Sequence, residues 1–450
     1  MQSSRFRALT PLHLAAVIAC AVASCAGSSR VAPAVPSAAA AEDPFAALSR
    51  ELTAARRAHD AKDWPAMLAH AQRAVAIRGQ SVSGLYTLAC AGSLAGDAEA
   101  ARTALHALAK LRVYFDLAAD DDFAPIRASA VYAEARAAFE ALFQEHAGHS
   151  ELAFTLRERD LVTEGLAHER RSGALFVSSV HRRKILRIAR DGTVSDFVTE
   201  GRDGLWAVFA IAIDAARGTL LALSAPIPEM RGYDAHEAGA TGVFEYDLAT
   251  AALRRKVLLP PSPEPRAFND LVLAPDGTAY IGDGRNGAIV TLAVGADHTE
   301  PFLPPGRLLS AQGLAFSHDG RALYVADYVR GLARIELATR AVRYLAAPKD
   351  TVLGGIDALV AHGDVLVATQ NGIRPHRVLR LTPSARGDRI ESMKLLELND
   401  PRVDEPTLGT VVGDDFYYLA NSQWASFTAD GTMWPVEKLR DPLILKVRIE

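Results

Sequence analysis

Five polar side chains share one register in the second part of this 450-residue chain: Glu164, Asn269, Gln312, Asp357 and Glu405, with Phe209 in the sixth place. Each opens an apolar hairpin. "EGLAHERRSGALFVSS" starts at Glu164, "FAIAIDAARGTLLALS" at Phe209, "NDLVLAPDGTAYIGD" at Asn269, "QGLAFSHDGRALYVAD" at Gln312, "DALVAHGDVLVATQ" at Asp357 and "EPTLGTVVGDDFYYLAN" at Glu405; successive starts lie 45, 60, 43, 45 and 48 residues apart. Carboxylates and amide oxygens without sulfur are the donors a hard divalent cation takes, and calcium binds six to eight of them. Glu164, Asn269, Gln312 and Asp357 are therefore the expected ligand set, for calcium first, with zinc or manganese as alternatives. A cation would also relieve the repulsion among several carboxylates at one mouth. A wet polar channel without metal is the other expectation for the same ring.

The repeat defines the elements that must hold these residues. Each hairpin turns on Gly, Asp or Asn and is followed by a third strand, as in "KILRIAR", "GVFEYDL" and "LARIELA". Six such units imply an all-β six-bladed propeller over residues 150–450, in which radial repetition limits open strand edges. First strands line the channel, so the register brings the six starts into one ring. Second strands return to the same face and are expected to add Ser179, Ser224, Asp283, Asp327, Gln370, Asn371 and Asn421 as a wider ring. "ELAFTLRE" (151–158) is expected to close the ring by joining the last blade. The additional residues of the second repeat, 226–241, read as a long loop over one mouth. Trp206, Tyr328 and Trp424 read as either the roof of a pocket or blade packing.

The first part of the chain has another texture. Arg5 and Arg7 precede an apolar stretch of signal-peptide length ending in Val22-Ala23-Ser24-Cys25, which resembles a bacterial lipobox with Cys25 as the lipidated residue. Ala26 after it favours the periplasmic face of the outer membrane over retention at the inner one, so the membrane is expected to be reached through the lipid alone. An ordinary secretory signal is the alternative. Residues 26–42 read as an Ala/Pro/Ser tether. Residues 43–147 are Ala-rich with helical periodicity. There "AKDWPAMLAHAQRAVAI" aligns with "AGDAEAARTALHALAKL" at an offset of 34, Asp63 matching Asp97. That period resembles the tetratricopeptide family and implies about five helices that either bind a protein or peptide partner or act as a spacer. With Cys20 and Cys25 spent, only Cys90 remains, so no internal disulfide is expected. A net charge of −4 and the lack of a basic domain exclude nucleic acid as a partner.

"TEGLAHE", "AFNDLVLAPDGTAYIGD" and "QGLAFSHDGRALYVAD" resemble the senescence marker protein/gluconolactonase (regucalcin-like) family over roughly residues 155–385. The resemblance implies a six-bladed propeller with one divalent metal in its channel and hydrolysis of a lactone. It implies Glu164 and Asn269 at the metal, Gln312 where the family has Asn, and Asp357 as last ligand and base. Asn269 would also contact substrate and water, and Asp327 is a neighbouring carboxylate able to serve as base. The chain departs from the family pattern: Gln312 is one methylene longer, Gly355-Ile356-Asp357 replaces Pro-Asp-Gly, and Arg266 stands three residues before Asn269 rather than two. Glu405, Asp283, Asn371, Asn421 and Arg266 are further candidates at the mouth. No Gly-x-Ser-x-Gly occurs, and His168, His181 and His362 lack zinc spacing. Two functions stay open: a metal-dependent lactonase or esterase, and a non-catalytic interaction module.

Overall fold

In the computed structural model, residues 43–264, 266–428 and 431–450 are described, and they form two compact units. The lipobox with Cys25, Cys20 and the tether lie outside the described residues. None of the described helices is long and apolar enough to cross a membrane.

The helical unit contains α1 (Pro44–Asp60), α2 (Trp64–Ile77), α3 (Val82–Ala95), α4 (Ala98–Lys110), a 3₁₀ turn at Asp121–Ile126, and α5 (Ala130–Leu142). Side-chain caps start the helices. Asp63 and Asp97, the pair matched across 34 residues, each accept a backbone N–H three residues on, from Ala66 at 3.1 Å and Ala100 at 3.0 Å. The aligned small and apolar positions follow: Ala71, Ala74, Leu105 and Leu108 are all fully packed. Gly96 ends α3 in the left-handed conformation, where a side chain would be strained.

The second unit is a six-bladed β-propeller. Blades 1 to 4 are four-stranded and sequential, with innermost strands Thr163–Glu169, Ala207–Asp214, Phe268–Leu273 and Ala311–Phe316. Blade 5 starts with Ile356–His362 and carries a fifth, two-residue strand, Ala147–Gly148, on its outer edge. Blade 6 runs Gly409–Val412, Asp415–Leu419 and Leu443–Arg448, and its outermost strand is Glu151–Thr155, from the start of the unit. The ring thus closes as the sequence implies, by a strand borrowed from before the first repeat.

Each sheet packs on both faces, which is why the blade strands read as unbroken apolar runs rather than alternating ones. Ala174–Ser179 and Thr219–Ala225 are buried along their whole length. One apolar cluster fills each of the six gaps between blades. Phe176 and Ile185 meet Phe244 and Tyr246 between blades 1 and 2; Leu419 and Ile444 meet Leu161 and Leu175 between blades 6 and 1. The innermost strands approach one another in cyclic order. Glycine permits the closest approach. A Cβ on Gly313 of blade 4 would lie 2.3 Å from the Leu359 nitrogen and 2.7 Å from the Asp357 carbonyl oxygen of blade 5.

Candidate active site at the channel mouth

In blades 1 to 5 the pairing of first and second strand slips at one place, between Thr163 and Leu166, Val208 and Ile211, Phe268 and Asp270, Ala311 and Leu314, and Ile356 and Leu359. A bulge frees a residue from the ladder and re-aims its side chain. The residues inside these five slips include Glu164, Phe209, Asn269, Gln312 and Asp357, and all five line one cavity of about 270 Å³. The repeat register locates them because the bulge recurs with the repeat.

The sixth position departs from this pattern. The inner strand of blade 6 begins only at Gly409, so Glu405 sits in the preceding loop, with φ +60° before Pro406. It is half-buried and does not line the cavity.

The wider ring is mostly turned inward to its own blades. Asp283 accepts backbone N–H groups from Ala267 (3.1 Å), Arg285 (2.9 Å) and Asn286 (3.3 Å). Asp327 accepts from Leu309 (2.9 Å), Ser310 and Arg330, and from the Tyr344 hydroxyl at 2.5 Å; it is fully buried. Ser224 accepts from Trp206 N–H, Ser179 donates to the Leu161 carbonyl, and Gln370 donates to the Gly354 carbonyl. Each ties the end of a second strand to the approach of the first. Asn421 accepts from Leu443 N–H and donates to the Asp441 carbonyl. Neither Asp327 nor Asn421 lines the cavity. Arg266 is likewise turned away, donating to the carbonyls of Gly239 and Pro260. Asn371 alone of this ring reaches the cavity.

Inside the cavity two hydrogen-bonded chains fix the polar groups. Asn371 donates to Asp357 Oδ2 (2.7 Å) and to the Pro406 carbonyl (2.9 Å), and accepts from the Tyr328 hydroxyl (2.9 Å). Asn269 donates to Gln312 Oε1, Gln312 donates to Ser310 Oγ (3.0 Å), and Ser310 donates to the Gly284 carbonyl (2.8 Å). Asn269 Oδ1 is left buried with no partner. Glu164 accepts from the Trp424 indole at 2.8 Å.

Burial and mutual repulsion raise the carboxyls. Glu164 stands well above the ordinary carboxylate range through burial and then the nearby Asp357. Burial lifts Asp357 to about 6, opposed by the Asn371 hydrogen bond. Burial lifts Asp270 to about 8 against the N–H groups of Leu314 and Leu271. Glu405 rises to about 7, through burial and then Asp404. Of these acids Glu164 and Asp357 line the cavity, and two buried carboxyls there form an environment a cation would relieve.

Two insertions roof the other side. The loop after Thr219–Ala225 supplies Ile227 and Glu229, and residues 421–428 supply Trp424; with Phe209 they form the apolar wall. His181 donates to the Glu229 carbonyl at 2.6 Å and so anchors the first insertion. Trp206 does not reach the cavity: it packs on Phe244 and bonds Glu237. Arg285, Glu229 and Ile227 line the mouth without a repeat-register signal; only the length of the 226–241 insertion announced the last two.

Asn269 keeps an orphaned acceptor, Oδ1, and lines the same cavity as Glu164 and Asp357, so these residues supply the all-oxygen donor set a hard cation takes. A separate group of donors, Cys90, Asp120 and Asp122, lies within 4.8 Å in the helical unit. There Tyr86 donates to Asp120, His59 bonds Asp122 at 3.1 Å, and burial raises the thiol well above its usual range, so these groups already satisfy one another.

No protein-family model matches the chain, and no curated protein does. Solved structures share its propeller. A gluconolactonase from Xanthomonas campestris is 16% identical at a TM-score of 0.46, covering 67% of this chain and 91% of its own. A luciferin-regenerating enzyme is 13% identical (TM-score 0.46; 66% and 92%), and virginiamycin B lyase from Staphylococcus aureus is 13% identical (0.45; 67% and 100%). The class defined by fold is the six-bladed β-propeller.

Proposed function

We propose that the propeller is a divalent-metal-dependent hydrolase of a small lactone or ester, with Glu164, Asn269 and Asp357 as the protein ligands and calcium as the first candidate ion. The observation that carries this reading is the unpartnered, buried Oδ1 of Asn269 in a cavity shared with two carboxylates. Bound there, a divalent ion would supply Lewis-acid polarisation of a carbonyl. Asp357, which lines the cavity and is held by Asn371, is placed to take a proton from an attacking water. Asn371 and Tyr328 hold its carboxylate in one orientation. Phe209, Ile227 and Trp424 shield one side from solvent and offer an apolar seat for the substrate body. The protein is proposed to work in the bacterial envelope, held by lipid on Cys25.

The test is divalent-ion binding to the chelator-treated full chain. A ligand at a hundred times its Kd adds about 2.7 kcal/mol, or roughly 4 °C for a unit of about 300 residues. That shift should vanish in both Glu164→Ala and Asp357→Ala, and a lactone and ester panel should then be hydrolysed only with the ion present. No shift with calcium, manganese or zinc would defeat the reading. A second reading, in which the helical unit binds a peptide, is favoured by a cavity of about 180 Å³ lined by Tyr114, Phe115, Leu117 and Phe139.

A further inference from the structure

We infer that Gln312 is a positioning residue that sets which way the Asn269 amide faces, and is not itself a ligand. The inference rests on the metal site proposed above. Hydrogen-bond polarity carries it. The Gly284 backbone carbonyl can only accept, so the Ser310 hydroxyl 2.8 Å away must donate to it. With its proton so placed, Ser310 Oγ accepts from Gln312, which must therefore present its NH₂ end at 3.0 Å. The opposite end of the Gln312 amide, Oε1, then faces Asn269 and accepts from Nδ2. Asn269 Oδ1 is the group left over, and it points away from that bond. One backbone carbonyl thus dictates, through two side chains, that the oxygen and not the NH₂ group of Asn269 is left without a hydrogen-bond partner.

The same chain engages the Gln312 oxygen with the neighbouring Asn269 and holds it in that direction. The additional methylene of Gln has a use here: the side chain spans from Ser310, two residues earlier in its own blade, to Asn269 in the neighbouring blade. Asn at this place is too short to hold both ends. Gly284 confines Asn269 from the other side, where a Cβ would lie 2.9 Å from its Cγ and 3.0 Å from Oδ1.

The substitution Gln312→Asn separates the two roles by the sign of its effect. If Gln312 were an overlong ligand, Asn would improve the site. As a positioning residue, its shortening frees the Asn269 amide. Calorimetric titration of calcium into the full chain should show Gln312→Asn binding at least about tenfold more weakly than the parent, and Ser310→Ala, which touches no proposed ligand, about threefold more weakly. Equal or tighter binding by Gln312→Asn, or unchanged binding by Ser310→Ala, overturns the inference. A metal-free cycle stands beside this. In chelator, the stability losses of Asn269→Ala and Gln312→Ala should be non-additive, because each removes the bond the two residues share. If the parent binds no divalent ion yet the cycle shows coupling, the metal reading fails and the positioning role stands. Additive losses overturn the positioning role whatever the metal does.

Discussion

Gly313→Ala examines the join between blades 4 and 5 and, through it, the placement of Asp357. A methyl group there would meet the Leu359 nitrogen at 2.3 Å and the Asp357 carbonyl oxygen at 2.7 Å. Ordinary contact begins near 3.5 Å, so the two strands must separate by about 1 Å. Both obstacles are backbone, and neither can swing aside like the tip of a side chain. Overpacking of this kind costs typically about 1–3 kcal/mol, and two backbone clashes place the expected loss at about 2–3. With an unfolding entropy of about 2.1 cal/mol/K per residue over about 300 residues, the melting temperature should drop by roughly 3–5 °C. The assay is urea denaturation and thermal melting in chelator, with Gly79→Ala as control, since the nearest atom to a Cβ there is 3.9 Å away. Calcium titration of the same variant should show weakened binding, because the separation moves the Asp357 backbone. A Gly313→Ala protein within about 0.5 kcal/mol of the parent, with unchanged calcium affinity, would refute the claim that this glycine sets the blade spacing at the site.

Asp283→Ala should lose about 2–3 kcal/mol in denaturant melts by removing the acceptor of one buried and two part-buried N–H groups, while leaving calcium affinity within about twofold. Asn269→Ala should lose most of the calcium-induced shift, and in chelator it should cost about 1 kcal/mol through the lost bond to Gln312. Trp424→Phe removes the indole donor to Glu164 and should alter ion affinity, read by titration, more than the melting temperature in chelator. Cys25→Ser should abolish incorporation of labelled palmitate in a bacterial host and release the protein from the membrane fraction.

The ring of Glu164, Asn269, Gln312 and Asp357 was legible because an angular repeat converts sequence spacing into position, and a bulge recurs at each of those residues. Glu405 matched the same spacing, but its blade delays the inner strand to Gly409, and a hairpin motif does not reveal where pairing begins. Asp283, Asp327 and Asn421 were harder still. A polar residue ending a second strand can face the channel or bind its own loop, and both choices look alike in sequence. Which end of an amide faces a ligand depends on donors in other blades. The roles of Gln312 and Asn371 therefore emerge only when Ser310, Tyr328 and the Pro406 carbonyl are in place.

The pairing of Glu151–Thr155 with Leu443–Arg448 has a consequence for biogenesis. Blade 6 cannot be completed until Leu443–Arg448 has been made and has travelled back to Glu151–Thr155. Joining ends about 290 residues apart carries a chain-entropy cost of about 5 kcal/mol, from (3/2)RT ln n, which only the finished ring offsets. Until then Leu152 and its neighbours remain an open strand edge, available to another copy of the chain. A nascent protein stalled before Leu443 is thus a candidate for strand exchange and aggregation, and the strand Leu443–Arg448 acts as the latch that ends that exposure.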